Sequence, residues 1–121
     1  MHTLKHIVRY RFLNGKNSYK IEFTSPVPAK GFWSLTAYNN DHYFDTNSIG
    51  RYSIGTGTTG LIKNENGGFT LYLSLNPPAD PKLINNWLPV PKDRFNVILR
   101  TYWPEPNMLD FSYKIPKLVR I

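Results

Sequence analysis

The 121-residue chain has no cysteine, which excludes disulfides and every Cys-based zinc or iron–sulfur site. Acids are scarce: eight Asp and Glu stand against fifteen Lys and Arg, for a formal charge of +7. Only 19% of residues are charged, below the usual quarter, so the basic excess comes from few acids rather than many bases. No stretch approaches the roughly eighteen apolar residues of a membrane span. The opening MHTLKHIVRYRF also lacks the continuous apolar core and small-residue cleavage site of a signal peptide. The expectation is a soluble chain. No helix of three turns can be drawn, and ten prolines and eight glycines break most candidates.

These shortages narrow the chemistry. Hydrolysis of glycosides needs two carboxylates across a cleft. Asp80, Asp93, Glu65 and Glu105 fall in turn-like segments, and nothing in the spacing pairs Asp41 and Asp45 with Asp110. With no thiol, nucleophilic catalysis needs Ser or Thr beside a base, yet no G-x-S-x-G elbow is present and His2, His6 and His42 are the only histidines. GTGTTG at 55–60 lacks the Lys and following helix of a phosphate loop. His42 with Asp41 and Asp45 is the sole local cluster of metal-ligand types, and it reads as a turn with acids and a surface histidine. His6, on the apolar face of the first run, reads as a satisfied core or edge histidine. No catalytic residue, metal or cofactor is assigned. The basic residues are dispersed, with no run of five, which argues against nucleic acid as a partner.

What the sequence does have is a period of two. HIVRYRF (6–12) alternates His6, Val8, Tyr10 and Phe12 with Ile7, Arg9 and Arg11, and YKIEF (19–23) places Tyr19, Ile21 and Phe23 on one face. Asn14-Gly15 lies between them, and both residues tolerate positive φ, so the two runs predict an antiparallel hairpin. FWSLTAY (32–38) and FTLYLSL (69–75) alternate in the same way, with Trp33, Leu35 and Ala37 on one side of the first and Phe69, Leu71, Leu73 and Leu75 on one side of the second. RYSIG (51–55) reads as a short strand, YFD (43–45) as a short return strand, and LINNWL as a helical turn at most. RFNVILRTYW (94–103) is the best strand, with Phe95, Val97, Leu99 and Trp103 on one face and Ile98, Arg100 and Tyr102 on the other; LDFSYKI (109–115) returns last. Eight to ten short strands between Gly, Pro and Asn turns predict an all-β, antiparallel, jelly-roll-like β-sandwich with little or no helix. The expectation is one domain over residues 1–121, a length typical of a domain.

Five ordered motifs carry a family resemblance: FWSLTAY (32–38), RYSIG (51–55), GLIKNENGGFTLYL (60–73), NNWLPVP (85–91) and FNVILRTYWPE (95–105). Together with LNGKNSYKIEF near the start, they make the chain resemble the DUF1214 domain from about residue 9 to the end. The resemblance implies a jelly-roll sandwich of unestablished function, often following a DUF1254 domain in longer proteins, many of them exported. Where the family tends to continue RYSIG with an Asp-Arg-Thr element, this chain has TGTTG.

Candidate ligand-binding residues are Trp33, Arg51, Tyr52, Trp87, Arg100 and Tyr102. Trp87, before the extended LPVP, either plugs an open end of the sandwich or offers a stacking face. Arg100 needs a carboxylate such as Asp41, Asp45 or Asp110 if its face is buried, or is solvated if it is not. Arg51 and Tyr52 follow Gly50 at a strand start, at a pocket rim or on the surface. Three function classes remain. The first is a non-catalytic module binding a carbohydrate, a small anion or a protein partner. The second is a structural subunit that self-associates or packs on a DUF1254-like domain. The third is a hydrolase of glycans or esters.

Overall fold

The computed structural model describes residues 5–109 and 112–121. Its strands are β1 (Lys5–Asn14), β2 (Tyr19–Phe23), β3 (Trp33–Asn39), β4 (Ser53–Gly55), β5 (Phe69–Ser74), β6 (Trp87–Pro89), β7 (Arg94–Tyr102) and β8 (Leu118–Arg120). A 3-10 helix spans Pro81–Asn86, and a single-turn helix, α1, spans Pro106–Leu109. The strands form two four-stranded sheets, one ordered β1-β7-β3-β4 and the other β6-β5-β2-β8. The expected all-β sandwich is therefore present.

Alternation explains the packing. Tyr19, Ile21 and Phe23 of β2, Phe69, Leu71 and Leu73 of β5, Trp33, Leu35 and Ala37 of β3, and Phe95, Val97 and Leu99 of β7 all face one shared core. The side chains between them point outward, as the pleat requires. At one end Trp33 stacks on Phe69 with centroids 5.1 Å apart, and Phe69 on Phe23 at 4.6 Å. His6 and Thr101 lie opposite each other in the β1–β7 register. His6 Nδ1 and Thr101 Oγ1 are buried without a hydrogen-bond partner among the described residues, so the Nδ1 side of His6 lacks the partner expected of a satisfied histidine.

Several expectations are corrected by the pairing. β1 and β2 do not form a hairpin: β1 pairs with β7, and β2 with β5 and β8. The Asn14-Gly15 corner carries the chain from one sheet to the other. Glycine serves a close approach there rather than a positive φ, because a Cβ at Gly15 would sit 1.9 Å from the Pro91 carbonyl oxygen. The sandwich is not wholly antiparallel either, since β6 runs parallel to β5. Such a pairing needs a long crossover, and Leu75 to Asn86 supplies it. Residues 43–45 form no strand; Phe44 instead stacks between Tyr38 and Tyr52. The last strand is β8 at 118–120 rather than 109–115, where Pro106–Leu109 turns as α1 and Asp110 and Phe111 lie outside the described residues. Trp103 leaves the inner face after Thr101: its φ is 52° and it is half exposed. Leu75, just past the end of β5, is also partly exposed.

The tail is pinned to β1. The Tyr10 hydroxyl donates to the Pro116 carbonyl at 2.7 Å. Burial, with Tyr113 close by, pushes the Tyr10 phenol well above its ordinary range.

Candidate functional site

The six residues singled out from the sequence do not line one cavity. Trp33 is in the core stack. Trp87 faces the outside of its sheet, yet is only 1% exposed. The 3-10 helix of the crossover packs on β5 beside it, and its Nε1 donates to the Ser74 carbonyl at 3.0 Å. Arg51 crosses from the β4 edge of one sheet to the β6 edge of the other. Its Nη1 donates to the carbonyls of Ile84 at 3.0 Å, Trp87 at 2.9 Å and Asn85 at 3.4 Å. All three carbonyls lie at or just past the end of the 3-10 helix, where the Ile84 carbonyl also accepts the Trp87 N–H. Asn47 holds the Arg51 backbone from both sides, accepting from its N–H and donating to its carbonyl. Arg51 thus ties the two sheet edges together.

Arg100, Tyr102 and Tyr52 belong to the outer face of the β1-β7-β3-β4 sheet. Arg100 lies over the Tyr38 ring at 5.7 Å, a cation–π distance, with no carboxylate partner among the described residues. Tyr102 stacks on Phe32 at 4.3 Å, with Lys5 Nζ 6.0 Å from its ring. Tyr52 stacks on Phe44 at 4.9 Å and lines a cleft of about 420 Å³ between the sheet edges, along with Asp45 and Lys92. Asp45 accepts from Asn39 Nδ2 at 2.8 Å. Among the described residues no group of three His, Asp or Glu could hold a metal.

A larger cleft, about 710 Å³, opens where β1, β3 and β7 meet, and none of the six residues lines it. Its walls include Arg9, Arg11 and Phe12 of β1, Asn40 and His42 of the turn after β3, and Arg94 and Asn96 of β7. A bulge makes it. The β1–β7 register runs regularly to Tyr10↔Val97, then resumes at Leu13↔Phe95, so that Arg11 and Phe12 together face Asn96. Bulges of this kind re-aim side chains. Here Leu13 turns into the core while Phe12 turns out to 99% exposure, with φ at 63°. His42 also has positive φ, 66°. A bulky residue such as Phe12 in that region is a genuine outlier, whereas His is enriched there; both residues line this one cleft.

The electrostatics are one-sided. No carboxylate lines the cleft, and Arg9, Arg11 and Arg94 have no ion-pair partner among the described residues. Sequence reading missed the site because Phe12 continues the alternation of His6, Val8 and Tyr10 in the sequence, while the bulge turns it out. The available signal was Leu13, an apolar residue directly after Phe12 that breaks the alternation where the bulge falls.

A family model described as a protein of unknown function, DUF1214, matches residues 9–106. The chain belongs to the DUF1214 family. All the residues lining the arginine cleft lie within the matched range. The DUF1214 chain is similar to the crystal structure of the VPA0106 protein from Vibrio parahaemolyticus, with 28% identity and a TM-score of 0.81. That match covers 97% of this chain and 30% of the Vibrio one, so the chain spans less than a third of that protein. An uncharacterised protein from Burkholderia cenocepacia shares the fold at 15% identity and a TM-score of 0.56, over 98% of this chain and 29% of its own. No curated protein matches the chain. Among the described residues of the DUF1214 chain, no helix is long and apolar enough to cross a membrane.

Proposed function

We propose that this DUF1214 domain is a non-catalytic binding module for a small anionic ligand, held in the cleft between the β1 bulge, the turn at 39–42 and the start of β7. The observation that supports this reading is the convergence of Arg9, Arg11 and Arg94 on a cleft that no carboxylate lines. A guanidinium offers a rigid fork of donors suited to carboxylate or phosphate oxygens. The lining has no hydroxyl, thiol or carboxylate, so it holds neither an oxygen or sulfur nucleophile nor a pair of acids for hydrolysis. It does offer cationic donors and side-chain amides. The net charge of +7 raises the local concentration of anions and speeds their encounter.

Titration of inorganic phosphate into isotopically labelled protein at low ionic strength tests the reading. Saturable amide shifts are expected at residues 9–14, 40–42 and 94–96. Arg94→Gln is expected to weaken binding about tenfold, as one charged hydrogen bond is worth. Saturable shifts confined to other parts of the molecule, or an affinity unchanged in both Arg9→Gln and Arg94→Gln, would overturn it.

A further inference from the structure

Resting on that reading, we infer that the anion is the carboxylate of an acidic sugar, and that Phe12 is the platform on which the sugar ring stacks. Phe12 lies in the left-handed region, which bulky side chains rarely occupy, and its ring is 99% exposed. Burial gives nothing back for that strain. Observed backbone strain of this kind points toward a functional role. Phe12 stacks on no other ring among the described residues: the aromatic pairs of this sheet's outer face join Phe32 to Tyr102, and Phe44 to Tyr38 and Tyr52. Both faces of Phe12 are therefore open to the apolar face of a sugar.

The remaining walls fit the rest of such a ligand. The side-chain amides of Asn40 and Asn96 have no hydrogen-bond partner among the described residues, and the Asn14 amide uses only its oxygen, which accepts from the Lys16 N–H. Each amide carries two donors and an acceptor, the mixture that sugar hydroxyls require. Arg9, Arg11 and Arg94 supply forks for a planar carboxylate.

Other ligands use only part of this set. An inorganic anion would engage the arginines and leave Phe12 and the amides idle. A neutral sugar would leave three cations unused. A single-stranded nucleic acid carries rings and anions, but its successive bases use successive aromatic platforms. The second ring of this cleft, Phe95, is 3% exposed and packed edge-on to Tyr19.

Calorimetry with trigalacturonate, maltotriose, a nucleoside monophosphate and inorganic phosphate tests the inference in the parent, Phe12→Asn and Arg94→Gln. Asn accepts the left-handed backbone better than Phe, so Phe12→Asn is expected to keep or raise Tm while weakening trigalacturonate about fivefold or more and leaving phosphate unchanged. Arg94→Gln is expected to weaken both. Unchanged trigalacturonate affinity in Phe12→Asn, maltotriose binding as tightly as trigalacturonate, or tighter binding of the nucleotide would overturn the acidic-sugar assignment while phosphate binding left the anion cleft standing. If neither phosphate nor trigalacturonate bound, both would fall.

Discussion

Arg51 and the trio Arg9, Arg11 and Arg94 put the same side chain to opposite uses. At the β4–β6 edge the Arg51 guanidinium reaches three backbone carbonyls within 3.4 Å, and Trp87 beside it is sealed from water. At the β1–β7 bulge three guanidinium groups border an open cleft without a carboxylate among them. One region is completed by its own backbone; the other has its donors unfilled among the described residues. An arginine whose donors end on carbonyls is part of the fold, and arginines gathered without partners mark where something else can bind.

Mutations sharpen that contrast. The largest effect is expected at the sealed edge, where Trp87→Ala removes a buried ring and should cost about 4 kcal/mol, read as a lower urea midpoint. Arg51→Met keeps the aliphatic stem and removes the guanidinium from the carbonyls of Ile84 and Trp87. It should cost about 2 kcal/mol, and Arg51→Lys should restore little, because an ammonium lacks the fork. The smallest effect is expected at the cleft. Arg9→Gln and Arg94→Gln should each leave stability within about 0.5 kcal/mol of the parent, as exposed substitutions usually do. A loss at Arg94 as large as that at Arg51 would erase the distinction.

The strands were legible because alternation is a local property. Leu71, Leu73, Val97 and Leu99 face the core as their parity dictates. Partnership was less legible. Asn14-Gly15 announces a reversal but does not say which sheet receives the chain, and here tertiary packing sends β2 to β5. β6 is only three residues long and buried on both faces, so it carries no period at all. The trio of arginines escaped notice because Arg94 lies some eighty positions from Arg9 and Arg11, and only the β1–β7 pairing brings them together. Arg51 was visible as a candidate, but its partners are backbone carbonyls, which no side-chain pattern encodes.

The β1–β7 pairing also sets the order of events at synthesis. β7 begins at Arg94, eighty residues after β1 ends at Asn14. At ordinary translation speeds β1 waits roughly 4 to 16 s for its partner. A lone strand with a row of apolar side chains is an aggregation hazard. Lys5, Arg9 and Arg11, on the face that later turns to solvent, act in that interval as gatekeepers, so charges that border the finished cleft also keep the nascent strand apart from its neighbours.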